Sequence, residues 1–203
     1  ITVQLKWRHQ FQFAGYYAAV EQGYYQQAGF DVSLKEAGPD INPVEEVLSG
    51  RADYGIANSE LMLYHLNGEP VIALAAIIQH SPIVLMSLKS ANILSPQDLI
   101  GKKLMYPAGH YGANTLGILL KEGIQKSQVE SIPLSYNIHD LIDRKVDAMV
   151  GYVTDQPFLL KEKGIDYNLI DPRTYGIDFY GDILFSSERL VEDEPEQVAK
   201  FRA

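Results

Sequence analysis

Apolar and polar residues alternate from Ile1 to Lys6 with a period of two, the mark of a half-buried strand. Phe13, Tyr17, Val20 and Tyr24 then recur at steps of three and four, which predicts a helix face, and Gly29 stops it. Phe30 to Leu34 alternates again, so the opening reads as a β-α-β unit long enough to join parallel strands. The pattern goes on with a short helix after Pro43, a strand at Asp53 to Ala57, a helix from Ser59 to Leu66 ended by Asn67-Gly68, and an apolar strand at Val71 to Ile78. An apolar run, Ile83 to Leu88, leads to Ser95-Pro96-Gln97-Asp98, a capped helix start, and to a strand at Lys103 to Tyr106. The later chain predicts helices at 111–123 and 138–143 and strands at 129–134 and 146–151. Over 171–182 the pattern lapses; Ile183 to Ser186 resumes as a strand, and a helix opens at Pro195.

The second series of elements copies the first. VLSGRADYGIAN at 47–58 echoes LIDRKVDAMVGY at 141–152, which puts Asn58 and Tyr152 at equivalent places just past strand ends. The expected architecture is α/β and two-lobed, with residues 1–85 and 182–203 in one lobe and 86–181 in the other. Each lobe is expected to hold a mainly parallel sheet flanked by helices, with a two-stranded hinge and a cleft between the lobes.

A length of 203 residues suits one large domain or two small lobes, and no apolar stretch is long enough to span a bilayer. Seventeen Lys and Arg against 26 Asp and Glu give a formal charge of −9, which disfavours nucleic acid as a partner. The absence of cysteine removes disulfides, thiolate metal sites and cysteine nucleophiles. No basic and apolar leader precedes Ile1, so any signal peptide is expected to have been removed. Val198 and Phe201 find little following sequence to pack on, so the natural chain is expected to continue past Ala203.

Open parallel sheets bind ligands at the carboxyl ends of their strands, so the candidate chemistry lies in the loops there. Trp7-Arg8-His9-Gln10-Phe11-Gln12-Phe13 offers rings for stacking and amides for hydrogen bonds, or simply caps the core. Asn58-Ser59-Glu60 caps a helix or presents its N–H groups and a carboxylate to a ligand. Gln79-His80-Ser81-Pro82 falls at the expected crossing between lobes, where it contacts a ligand or turns the chain. Pro107 to Asn114 carries His110, Tyr111, Gly112 and Asn114; its glycines allow close backbone approach, but it lacks the endings of a P-loop or a dinucleotide fingerprint. Tyr152 to Pro157 follows the echo strand and supplies Tyr152 and Thr154, with Thr154 or Asp155 also fit to cap a helix. The five histidines have no metal-ligand spacing and no serine sits in a nucleophile elbow, so neither a metal, a catalytic residue nor a cofactor is expected.

LKWRHQFQFAGYYAAVEQGYYQQAGFDVSL, LSGRADYGIANSE, GKKLMYPAGHYGANT and VDAMVGY together resemble the type II periplasmic solute-binding proteins of the thiamine-pyrimidine and sulfonate group, called NMT1/THI5-like. The resemblance covers nearly the whole chain; Leu-x-Trp with Gly15, Tyr16, Gly23 and Gly29 is its most specific part. It implies extracytoplasmic capture of a small solute between two lobes, through Trp7, Phe11, Tyr16, Asn58, Glu60, Gln79, His110 and Tyr152. It further implies service to an ABC permease or to a covalently attached membrane signalling module, with possible tethering to the inner membrane through flanking sequence. The first loop departs from the Asn-Thr-Asn-His type of segment favoured by pyrimidine binders. The lack of cysteine departs from the fungal relatives that synthesise the pyrimidine, so an enzyme of thiamine-precursor metabolism is the alternative.

Overall fold

The computed structural model describes every residue but Pro39, Asp40 and Tyr136, and the side chains of the remainder apart from His110 and Tyr111. The elements run β1 (Thr2–Gln4), α1 (Ala14–Glu21), α2 (Tyr24–Gln27), β2 (Ser33–Lys35), α3 (Pro43–Leu48), β3 (Tyr54–Ala57), α4 (Leu61–Leu66), β4 (Val71–Ala76) and β5 (Ile83–Leu88). They continue with β6 (Lys103–Tyr106), α5 (Ala113–Lys121), β7 (Glu130–Pro133), α6 (His139–Ile142), β8 (Ala148–Tyr152), α7 (Gln156–Glu162), β9 (Tyr167–Ile170), β10 (Ile183–Ser187), α8 (Glu188–Asp193) and α9 (Pro195–Arg202). Two compact units result, one of residues 1–79 with 180–203 and the other of 80–179. Residues 80–85, assigned from the sequence to the first lobe, thus lie in the second unit, Ile83 to Leu85 as part of β5, and residues 180–181, assigned to the second lobe, lie in the first unit.

The first unit holds a sheet of order β2-β1-β3-β10-β4 and the second one of order β7-β6-β8-β5-β9. In each sheet four strands run one way, and the fifth, β10 or β5, is antiparallel to both neighbours. The sequence reading anticipated the parallel part alone, because the antiparallel strand comes from a distant segment. Both faces of each sheet are covered, which explains strands such as YGIA and IVLMSL that are apolar almost throughout. In the second unit Leu85, Leu104 and Val150 pack on one face, and Met86, Met105 and Met149 on the other.

Local chemistry explains several boundaries. Gly23, at φ +70°, breaks the expected long helix into α1 and α2. Asn42 starts α3, its Oδ1 accepting the Val44 N–H at 2.9 Å with Pro43 in the first turn. Ser95-Pro96-Gln97-Asp98 starts a single 3-10 turn rather than a helix. Val198 and Phe201 are buried in the first unit, where the Phe201 ring stacks on Tyr54 at 4.0 Å and on Tyr25 at 5.3 Å, so they find the neighbours that the sequence alone did not supply.

The internal echo is a structural repeat. Val3 pairs with Tyr54 in the first sheet as Leu104 pairs with Ala148 in the second, and Ser186 opposes Tyr54 as Ser87 opposes Ala148. The Asp53 carboxylate accepts the Thr2 N–H at 2.7 Å, and that of Asp147 accepts the Lys103 N–H at 2.8 Å. Glu46 pairs with Arg51 at 2.7 Å, and Asp140 with Lys145 at 2.8 Å. Even the left-handed turn recurs, on Gly50 at φ +76° and on Arg144 at φ +58°.

An arginine in that conformation carries a backbone cost of about 1–2 kcal/mol that glycine avoids, partly offset by the larger entropy glycine loses on folding. Arg144→Gly is expected to stabilise the protein by up to about 1 kcal/mol in urea unfolding; a clear loss of stability would refute the account of that turn. Gly55 needs its bare Cα for a different reason, since a Cβ there would lie 2.4 Å from Cε1 of the fully buried Phe185 and 3.0 Å from Val47. Gly55→Ala should therefore destabilise by about 1–3 kcal/mol by the same measurement, and a neutral result would mean that the Phe185 ring yields freely.

Candidate functional site

The loops at the carboxyl edge of the first sheet are joined by one buried cation. Lys6, two residues past β1, pairs with Asp182, which immediately precedes β10, at 2.6 Å, and the two side chains are 7% and 1% exposed. The Lys6 ammonium also donates to Asn58 Oδ1. Asn58 in turn donates its backbone N–H to Glu60 Oε1 at 3.0 Å, and its Nδ2 lies 3.4 Å from the same oxygen. Residues from three different strand ends therefore form one polar cluster: Lys6, Asn58 with Glu60, and Asp182.

Burial sets the electrostatics of this cluster. Desolvation raises the Glu60 carboxyl above the ordinary carboxylate range, against the opposing pull of Lys6 and of the hydrogen bonds from Asn58. The Tyr16 hydroxyl on α1 is pushed up chiefly by burial and then by the Asp182 and Tyr25 charges. Its oxygen is enclosed without a hydrogen-bond partner among the described residues. The expected capping of α4 by Asn58 or Ser59 does not form: Glu60 occupies the cap position without a side-chain bond, because Asn58 is drawn to Lys6 and the Ser59 hydroxyl donates to the Tyr180 carbonyl at 2.9 Å.

Around this cluster the first loop divides its aromatics. Trp7 packs partly on the first unit's core. Phe11 opens a 3-10 turn with 91% of its surface exposed, so it caps no core; Gln12 beside it is half-buried. Gln79 is exposed beyond β4. Tyr16, expected at a ligand, lies in the first unit's core.

In the second unit the candidates gather at the matching edge of its own sheet. Tyr152 ends β8, half-buried, and donates its N–H to Gln156 Oε1 at 2.6 Å, much as Asn58 donates to Glu60. Gln156 also donates to Asp155 at 2.6 Å, and Thr154 is exposed beside it. Gly112 is buried where a Cβ would meet the Pro107 carbonyl at 2.4 Å, and Asn114 is buried in the first turn of α5. His80 pairs with Asp178 at 2.7 Å on the surface of this unit. The side chains of His110 and Tyr111 fall outside the described residues.

Sequence reasoning missed Lys6, Asp182 and Gln156. Lys6 reads as the polar member of an alternating strand, and Asp182 as one of several acids in an unpatterned stretch, so only the return of β10 to the first sheet reveals their pairing. Among the described residues no three histidine, aspartate or glutamate side chains converge as a metal ion would require.

Residues 10–203 match the NMT1/THI5-like family. The formylaminopyrimidine-binding protein of Halalkalibacterium halodurans is 26% identical over 99% of this chain and 62% of its own length. The riboflavin-binding protein RibY of Chloroflexus aurantiacus is 26% identical over 99% of the chain and 59% of its own length. The 4-amino-5-hydroxymethyl-2-methylpyrimidine phosphate synthase of Legionella pneumophila is 26% identical over 77% of the chain and 50% of its own length. The chain thus spans between half and two thirds of these relatives. Among solved structures, a Bordetella bronchiseptica protein matches with a TM-score of 0.82 at 18% identity, covering all of this chain and 68% of that one. The periplasmic aliphatic sulphonate binding protein SsuA of Escherichia coli matches with a TM-score of 0.75 at 15% identity, covering 99% and 69%. These likenesses show the periplasmic binding protein fold, and with the match over residues 10–203 they show that the chain belongs to the NMT1/THI5-like family.

Proposed function

We propose that this chain is the ligand-capturing part of an extracytoplasmic solute-binding protein, and that its solute is a small, flat heterocycle bearing N–H donors. The observation that carries this reading is the cluster at the first sheet's carboxyl edge, where Asp182 and Glu60 outnumber the single Lys6 ammonium. Two carboxyl groups beside a single ammonium suit a ligand that donates hydrogen bonds, and the Lys6 charge, already paired with Asp182, is not left over for a sulphonate. Exposed Phe11 and half-buried Trp7, on the loop after β1, are suited to stack on such a ring. The named ligands of the Halalkalibacterium and Chloroflexus relatives, a formylaminopyrimidine and riboflavin, are both flat heterocycles.

In this reading Tyr152, Thr154, Asn114 and the Gly112 loop contribute further contacts from the second unit, and capture favours one arrangement of the two units over others. That change of population is what a membrane partner reads, whether an ABC permease or an attached signalling module. A second reading, formation of the pyrimidine itself, draws support from the Legionella relative named as a pyrimidine phosphate synthase.

Thermal unfolding with formylaminopyrimidine, riboflavin and an aliphatic sulphonate separates these readings. A heterocycle at a hundred times its dissociation constant is expected to stabilise the protein by about 2.7 kcal/mol and to be recovered chemically unchanged. Stabilisation by the sulphonate alone would overturn the solute class, and conversion of the ligand would favour the enzyme. Phe11→Ala should leave the ligand-free midpoint unaltered, because the ring is exposed, yet weaken the ligand response at least tenfold in concentration. An undiminished response would remove the first loop from the site.

Glu60 makes stability depend on pH in a definite direction. Its raised carboxyl keeps its proton in the folded protein to a higher pH than in the unfolded chain. It therefore favours folding below the ordinary carboxylate range, and that contribution is lost as pH rises through the raised value. Glu60→Gln keeps an acceptor for the Asn58 N–H and should raise the melting temperature at pH 8, the gain vanishing near pH 4. A variant less stable at pH 8 would mean that the Lys6 attraction outweighs desolvation.

A further inference from the structure

The repeat that relates the two units breaks after the inserted strand, and a cavity opens there. After β10 the first unit continues into α8, whose Arg189 guanidinium lies 3.7 Å from the point where a Cβ on Gly50 would stand. After β5, the equivalent strand, the second unit makes only a three-residue 3-10 turn, Lys89–Ala91. With no helix there, a cavity of about 500 Å³ remains at the edge of the second sheet opposite Tyr152, within the size range of small-molecule sites.

Its walls are of two kinds. Leu88, Ile142 and Ile165 supply an apolar floor, and Lys89, Arg144, Ser90 and Asp166 supply a polar rim. Lys89 and Asp166 are 3.6 Å apart with side chains 68% and 81% exposed, a loose surface pair that a competing anion displaces at little cost. Arg144 reaches the Ser90 hydroxyl at 3.3 Å. This is the residue held in the left-handed conformation where the first unit has Gly50. A side chain kept against a backbone cost, at the rim of an open cavity, points to a use for its guanidinium. Two cations against one carboxylate also give the rim a positive balance in a chain of charge −9.

We propose that this cavity is a second ligand site, at the end of the second sheet opposite Tyr152, that takes a small organic anion with a short apolar tail. The tail lies on Leu88, Ile142 and Ile165, and the anionic group meets the Arg144 guanidinium with Lys89 beside it.

Hexanoate is the probe, with hexylamine and inorganic phosphate as controls, titrated into the isotopically labelled protein and followed at the backbone amides of Ser90, Arg144 and Asp166. Saturable shifts at these amides are expected with hexanoate, none with hexylamine, and at least fivefold weaker binding with phosphate, which has no tail. Arg144→Gly, which the turn geometry favours, should remain folded and lose at least fivefold in hexanoate affinity, and Lys89→Gln should lose less. Hexanoate that fails to saturate, that binds Arg144→Gly as well as the parent, or that binds no better than hexylamine or phosphate would overturn the proposal. Because neither Phe11 nor Glu60 is among the residues that line this cavity, failure here leaves the reading of the carboxyl-edge site intact, and the converse also holds.

Discussion

The ion pair between Lys6 and Asp182 joins the first strand of the chain to the strand that returns from the second unit. Both groups are almost wholly removed from water, so neither is tolerable alone: deleting one partner of such a pair typically costs about 3–5 kcal/mol, because a charge is left buried. The pair therefore fixes more than its own geometry. It ties the start of β10 to the end of β1 across β3, the strand that lies between them in the sheet. The same ammonium holds Asn58, which in turn holds Glu60, so one cation links the polar groups of three strand ends.

The second unit solves the same topological problem without a charge in that place. Its inserted strand, β5, opposes β8 in the register that β10 keeps with β3, and Tyr152 at the end of β8, like Asn58 after β3, gives its N–H to a side chain at the start of the following helix. There the acceptor is an amide, Gln156, rather than a carboxylate. The shared parts of the repeat are backbone devices: aspartates that accept the first N–H of a neighbouring strand, ion pairs that close a helix end, and a left-handed residue after the helix. What the repeat preserves is the fold.

Those devices also mark what could be read in advance. The motif from helix end through basic residue and aspartate to strand is short, local and spelled out in consecutive residues, so the equivalence of Asn58 and Tyr152 is legible in the sequence. The β6 strand was legible too, as an apolar run with a sharp start. β9 was not, since Tyr167–Ile170 is a short edge strand with Leu169 partly exposed and no clean alternation. Neither was the place of β10, because pairing between distant segments leaves no local trace. The same limit hid Lys6 and Asp182, and it misassigned Asn58 as a cap: a side chain that suits a helix start is equally able to serve a buried ammonium, and only the neighbour decides which.

The two units have diverged in charge while keeping one scaffold. The first carries seven Lys and Arg against fifteen Asp and Glu, a net of −8, and the second carries ten against eleven, a net of −1. Nearly all of the acidity of the chain thus belongs to the unit whose carboxyl edge holds Asp182 and Glu60. A field of that sign favours the approach of cations to the first unit and opposes that of anions. The second unit, close to neutral, offers an amide and a glycine-lined loop at its edge, groups that discriminate by fit and direction rather than by charge. The shared strand pairings thus carry two edges of different chemistry, a carboxyl-rich one in the first unit and an amide-bearing one in the second.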